Sequence, residues 1–148
     1  RGRPDELMLP LRYAARWRVA GLFLLVLVLV ASLMPAFWIF PDRKDFVSWF
    51  VHVDKWLHGI AFAVLAVWFA GQYQRRSYWR IALGLLAFGV LIEACQRMVT
   101  YRSAEWFDIV ADAAGIAVGL CIALAGLGGW SLWFENRLDG GKVESSGG

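Results

Sequence analysis

Residues 19–40 read VAGLFLLVLVLVASLMPAFWIF, a run of 22 residues without a charged side chain. At a rise of about 1.5 Å per residue, a helix of this length crosses the ~30 Å hydrocarbon core of a bilayer. The apolar part of a signal peptide has only about 7–15 residues, so the run predicts a retained membrane anchor. We expect Pro35 to kink this helix near its far end.

The rest of the chain repeats this pattern. Hydrophobic residues make up 59% of the sequence and charged residues 18%, whereas soluble domains are about 45–50% apolar. Three further apolar stretches cover residues 56–73, 81–99 and 106–128. The third is the least regular of the four spans, because charged and polar residues follow position 92. The sequence therefore predicts an all-α protein, a bundle of four transmembrane helices.

The basic residues indicate how such a bundle is oriented. Ten of the 15 Lys and Arg residues lie before the first span, between the second and third, or after the fourth. The positive-inside rule then places both termini in the cytoplasm. The net charge of +3 reflects these flanks, and no nucleic-acid partner is predicted. We expect a basic cytoplasmic segment (1–18), a membrane domain (19–134) and a flexible cytoplasmic tail (135–148).

Polar side chains gather at one end of the predicted bundle. Because successive spans alternate in direction, the start of the second and fourth and the end of the third share one level, the outer one. Ionisable groups inside spans are costly and usually face the protein interior. An alternative interpretation is that some are simply the hydrated ends of spans. The candidate binding residues are Asp54, Lys55, His58, Glu93, Gln96, Arg97, Arg102, Asp108 and Asp112.

The fourth span carries these groups on a defined face. Asp108, Asp112, Gly115 and Gly119 follow a 4-3-4 spacing, which places them on one helical stripe. The two glycines match the small-xxx-small pattern of close helix approach, so we expect them to serve helix packing.

Opposite charges are available to pair with these carboxylates. Lys55 could reach Glu93, and Arg97 or Arg102 could bridge to either aspartate of the fourth span. The spacing of histidine and carboxylates is not diagnostic of a metal site, and neither metal nor cofactor is predicted.

Four motifs stand in a fixed order along the chain: Asp54-Lys55-x-x-His58, Gly89-x-x-x-Glu93-x-x-Gln96, Arg102, and Asp108-x-x-x-Asp112-x-x-Gly115-x-x-x-Gly119. Their combination resembles the VanZ-like family, named for a protein associated with resistance to the glycopeptide antibiotic teicoplanin. The resemblance covers roughly residues 54–119. It implies a bacterial inner-membrane protein of the cell envelope, with a link to antibiotic tolerance. The family commonly has asparagine at the position of Asp112 and an aromatic residue at that of Gly59, where we expect extra room.

Three functions follow from this arrangement. The first is recognition of a lipid headgroup or a lipid-linked cell-wall precursor by the polar residues. The second is a hydrolase or transferase acting on a lipid, with His58, Glu93 or Asp108 as general acid or base. The third, an ion-coupled transporter, lacks ionisable residues along the inner halves of the spans. A structural scaffold stays open as an alternative, as does a homo-oligomer formed through the glycines of the fourth span.

Overall fold

The computed structural model describes residues 7–34, 46–98 and 106–144, with side chains described for 7–34, 55–98 and 106–138. Within these ranges the chain is helical, apart from turns and one isolated antiparallel bridge between Met8 and Tyr73. The all-α prediction is therefore confirmed. The helices are α1 (Ala14–Leu33), α2 (Phe46–Ala70), a 3-10 turn (Arg75–Ser77), α3 (Tyr78–Arg97), α4 (Trp106–Ile122), a π-helical turn (Ala123–Leu127) and α5 (Trp130–Glu144).

Within the described ranges, three segments are long and apolar enough to cross a membrane. They are Ala14–Leu33, Arg75–Arg97 and Trp106–Leu127, judged by length and composition. Helices satisfy every internal backbone hydrogen bond within one segment, which a hydrocarbon environment demands. The apolar part of α2 with described side chains, Lys55–Ala70, is shorter. Three of the four predicted spans thus correspond to suitable helices, and the second span stays a prediction.

The first helix extends beyond the uncharged run on its N-terminal side. It begins at Ala14, five residues before the run starts at Val19. The physical reason is that Arg16 and Arg18 can lie in the first turns with their guanidinium groups exposed, because long basic side chains reach the interface from an apolar helix. Pro35 and the predicted kink lie outside the described residues.

Helices α2 and α4 pack in parallel at very close range. Gly59 of α2 faces Gly115 of α4, and four residues further on Ala63 faces Gly119. Helix α3 runs antiparallel to both, with the rings of Phe62 and Phe88 6.0 Å apart between centroids. The buried core lies between these three helices and consists mainly of Phe62, Leu65, Ala66, Ile92, Ile116 and Ala123.

Helix α1 packs on the outside of this arrangement. Gly21 is its one buried residue, and an added Cβ there would lie 3.0 Å from the ring of Phe69 on α2. Near the other end of α1, the side-chain amide of Gln96 donates to the carbonyl of Ser32 across 3.0 Å. These two contacts make α1 antiparallel to α2 and parallel to α3, so α1 to α4 alternate in direction as the sequence predicts.

The two ends of the molecule therefore differ in chemistry. We call the end at which α2 and α4 begin and α3 finishes the polar end, because it holds His58 and Glu93. The opposite end carries Arg75, Arg76 and Arg80, and we call it the arginine-rich end. There the N-terminal segment pairs with the α2–α3 connection through two backbone hydrogen bonds of 2.9 and 3.0 Å.

Candidate functional site

Five polar side chains from three helices are buried together at the polar end. The direction of α3 brings its last turns beside the first turns of α2 and α4, which is the convergence that the sequence predicts. The carboxylate of Glu93 on α3 interacts electrostatically with the other ionisable members of the group. The five residues, which we call the polar cluster, are His58, Glu93, Gln96, Asp108 and Asp112, and each is at most 5% exposed.

A histidine–aspartate contact joins α2 to α4 inside the polar cluster. The Nδ1 atom of His58 lies 3.1 Å from Oδ1 of Asp112. A carboxylate beside Nδ1 favours the ring form that carries a proton there, so Asp112 orients the imidazole. No described arginine forms an ion pair with Asp112, and Arg102, one of the two arginines expected to bridge to an aspartate of α4, lies outside the described residues.

Gly89 makes the space in which the Asp112 carboxylate lies. A Cβ atom added to Gly89 would lie only 2.5 Å from Oδ2 of Asp112. Among the described residues, none donates a hydrogen bond to this Oδ2 atom. Gly89 belongs to one of the motifs quoted above. The sequence did not predict that its lack of a side chain leaves space for a carboxylate from a neighbouring helix.

Glu93 is a buried carboxylate to which no described residue donates a hydrogen bond. Both of its carboxylate oxygens are buried and accept no hydrogen bond from any described residue. The Oε1 atom of Gln96, one turn further along α3, is in the same situation. Burying a charged carboxylate that has no hydrogen-bond donors lowers the stability of a protein by roughly several kcal/mol. The interior of the polar cluster therefore holds more hydrogen-bond acceptors than its described residues satisfy.

The cations of the polar end lie at its rim on aromatic rings. The Lys55 ammonium is 5.1 Å from the ring centroid of Phe107, and the Arg97 guanidinium is 5.9 Å from that of Trp106. Both rings belong to the exposed first turn of α4. The expected bridge from Lys55 to Glu93 is not made, because the ammonium lies over the phenyl ring instead.

Two predicted site residues cannot be placed. Arg102 lies outside the described residues, and so does the side chain of Asp54, whose backbone belongs to α2.

The glycines of α4 are packed against α2, as their spacing predicts. A Cβ on Gly115 would collide with the carbonyl oxygen of Gly59, and one on Gly119 with that of Ala63. A Cβ on Gly59 itself would make only an ordinary 3.5 Å contact. The expected extra room at Gly59 is therefore filled by α4, and it is Gly115 that permits the close approach. The glycine face is covered within the chain, while a homo-oligomer stays a prediction.

Sequence reasoning missed Glu135, a buried carboxylate at the arginine-rich end. It accepts hydrogen bonds from the backbone N–H groups of Arg12 and Tyr13, at 2.8 and 3.1 Å, and from the indole of Trp17 at 2.8 Å. These donors belong to the beginning of α1, where free N–H groups favour a negative charge. Glu135 lies in α5, which runs across the predicted boundary of the tail. No local sequence pattern predicts a contact between residues more than 100 positions apart.

The site as described is a cluster of acceptors rather than a metal cage. Among the described residues, no three His, Cys, Asp or Glu side chains form a group that could hold a metal ion.

Helices of membrane-spanning length around a buried polar cluster define a helical integral membrane protein. The family model described as VanZ/LLP1 matches residues 7–128, which includes all five members of the polar cluster. The chain belongs to the VanZ-like family. A search of curated proteins and a search of solved structures each find no match.

Proposed function

We propose that this VanZ-like membrane protein recognises a lipid headgroup, or the headgroup of a lipid-linked cell-wall precursor, at its polar end. The observation that carries the proposal is the state of Glu93. Its carboxylate is 3% exposed, and its oxygens accept no hydrogen bond from the described residues. A ligand that donates hydrogen bonds would remove the energetic penalty of burying these acceptors.

The arrangement of charged residues at the polar end favours a ligand that carries hydrogen-bond donors next to a negatively charged group. The interior of the polar end is rich in carboxylates, whereas Lys55 and Arg97 lie at the rim on exposed rings. An amine or sugar hydroxyl can donate to Glu93 and Asp112, while a phosphate next to it meets the cations. Amino-phospholipids and lipid-linked sugars carry such donors next to a phosphate.

The membrane placement that fits this function has four spans, with α2 as the second. Both termini then face the cytoplasm of the bacterial inner membrane, and the polar end faces outward. Support comes from the alternating directions of α1 to α4 and from the excess of basic residues at the opposite end. In this placement the ligand comes from the outer leaflet, where cell-wall precursors are used. The family's association with glycopeptide resistance suggests a role in tolerance to such antibiotics.

Native mass spectrometry of the purified protein tests headgroup recognition. The protein is extracted from nanodiscs that contain an equimolar mixture of phosphatidylethanolamine and phosphatidylglycerol, and its retained lipids are counted. We expect Glu93→Gln and Lys55→Ala to lose a lipid that the wild type keeps. Arg137→Ala is the matched control, because Arg137 also lies 5.1 Å from an aromatic ring, that of Trp133, in α5. Equal retention by all four proteins would contradict the proposal.

A second candidate function has one observation in its favour, the contact between His58 and Asp112. A histidine oriented by a carboxylate at Nδ1 is a common general base, and Glu93 could act as the acid of a hydrolase or transferase. Labelled lipid-linked precursors incubated with wild type, His58→Asn and Glu93→Gln would test this activity. Turnover that is equal in all three would exclude these residues from catalysis, and loss in both variants would support it.

A further inference from the structure

A cavity at the arginine-rich end lies between the N-terminal segment and helices α1, α2 and α3. Its volume is about 310 Å³, within the range of roughly 300–1,000 Å³ that is usual for ligand pockets. Its walls are mainly apolar and include Leu25, Phe69, Ile81, Leu85 and Phe88. None of the five residues of the polar cluster lines it, so it is a separate feature of the molecule.

The polar groups of this cavity come from one short stretch of chain. Tyr73, Ser77 and Arg80, around the 3-10 turn and the first turn of α3, are its polar lining residues. The hydroxyl of Ser77 is buried, with 1% exposure of the residue, and its Oγ atom makes no hydrogen bond with any described residue. Arg80 is exposed and lies over the ring of Trp79. The cavity thus has an apolar body and one end with a cation and a free hydroxyl.

The residues that line this cavity indicate which kind of molecule it binds. An apolar cavity of this size does not hold ordered water well, whereas an acyl chain from the surrounding bilayer fits apolar walls. An arginine at the mouth suits a phosphate, which it can bind through two parallel hydrogen bonds. Arg80 is the one charged residue among those described as lining the cavity. Basic pockets between transmembrane helices on the cytoplasmic side are a recognised type of anionic lipid site.

We propose that this cavity binds one anionic phospholipid, with an acyl chain between α1 and α3 and the phosphate on Arg80 and Ser77. The N-terminal segment closes the cavity, because Leu7 lines it and the carbonyl of Leu7 accepts a 3.0 Å hydrogen bond from the Gln74 N–H. The bound lipid therefore joins α1, which is otherwise packed on the outside, to α3. This site is independent of headgroup recognition at the polar end.

Gly84 offers a way to fill the cavity without disturbing the fold. It lines the cavity, and a Cβ atom added to it would meet no heavy atom within 4 Å. A leucine at this position can occupy the space of the acyl chain. Ala87→Leu, on the same helix, is the matched control, because Ala87 is exposed and is not among the residues described as lining the cavity.

The test uses the full chain in detergent, with phosphatidylglycerol or phosphatidylcholine of identical acyl chains as probes and native mass spectrometry as the readout. We expect the wild type and Ala87→Leu to retain one phosphatidylglycerol in preference to phosphatidylcholine. Gly84→Leu should lose this lipid, and Arg80→Gln should reduce the preference about tenfold, the factor expected for one charged hydrogen bond.

Any one of three results would overturn the proposal. The first is equal retention of the two lipids by the wild type, the second is equal retention of phosphatidylglycerol by Gly84→Leu and Ala87→Leu, and the third concerns Arg80→Gln. If Gly84→Leu is obtained in an unfolded state, Arg80→Gln decides, because Arg80 is exposed and its replacement leaves the core untouched. An unchanged lipid preference in Arg80→Gln refutes the site.

Discussion

Replacing Gly89 by alanine places a methyl group where the Asp112 carboxylate now lies. The new Cβ would be 2.5 Å from Oδ2 of Asp112, while ordinary contact begins at 3.4 Å. The carboxylate would have to move by about 1 Å, yet Asp112 is 1% exposed and has a short side chain. Since its other oxygen is already 3.1 Å from His58, the movement breaks that hydrogen bond.

The expected change in the free energy of unfolding is the sum of three contributions. Loss of a charged hydrogen bond costs about 1.5–3 kcal/mol, and overpacking of a well-filled interior costs about 1–3 kcal/mol. Alanine returns about 1 kcal/mol because it favours the helix more than glycine does. We therefore expect Gly89→Ala to lower the free energy of unfolding by about 1.5–5 kcal/mol. Gly84→Ala, on the same helix and with open space around it, should instead be neutral or stabilising by up to about 1 kcal/mol.

The measurement is unfolding in mixed micelles by increasing amounts of sodium dodecyl sulfate, followed by circular dichroism. The variant Asp112→Ala supplies a second test, because it removes the atoms that the new methyl group would meet. In that background Gly89→Ala should cost at least 1.5 kcal/mol less, roughly the value of the lost hydrogen bond. Equal stability of Gly89→Ala and Gly84→Ala would contradict the expected clash between the new methyl group and the Asp112 carboxylate. So would a loss of unfolding free energy on Gly89→Ala that is the same in the Asp112→Ala background.

Further predictions concern packing and the arginine-rich end. Gly115→Ala should lower the free energy of unfolding in micelles by about 1–3 kcal/mol, because its methyl group meets the backbone of α2. Gly59→Ala should change this free energy little, and equal effects of the two substitutions would contradict the packing described. Glu135→Gln should cost about 1–2 kcal/mol and speed hydrogen exchange at the first amides of α1, and unaltered exchange would speak against the capping role. Gly129 has a φ of 78°, so Gly129→Ala should cost about 1–2 kcal/mol; an unchanged midpoint would show that this turn tolerates a side chain.

The composition of the polar cluster was predictable from the sequence. Span length and alternating direction fix the depth of a residue, and a spacing of three or four fixes the face on which it lies. His58, Glu93 and Asp112 could therefore be assigned to one level of one interior, and the structure buries all three. The glycine stripe of α4 could likewise be identified as a packing face.

The partners within the polar cluster could not be predicted. Each residue along a helix turns the side chain by about 100°, so a small error in the rotation of a helix exchanges one neighbour for another. The contact between His58 and Asp112 was not among the pairings expected from the sequence. The cations were expected inside, but Lys55 and Arg97 lie on aromatic rings at the rim, since cation–π contacts leave part of the charge hydrated.

Contacts between distant parts of the chain were also missed. Glu135 is 123 residues from Arg12, whose N–H it binds, and it lies in a segment that the polar composition favoured as a tail. Helix propensity and hydropathy describe single segments, so neither could indicate that α5 returns to the beginning of α1.

Contact between a lipid headgroup and Glu93 is best tested by an experimental structure of the wild-type protein in nanodiscs made with bacterial lipids. We expect density for a headgroup with a donor atom within about 3.2 Å of a Glu93 carboxylate oxygen. A structure in which protein groups alone donate to both oxygens, with lipid confined to the outer surface of the helices, would contradict it.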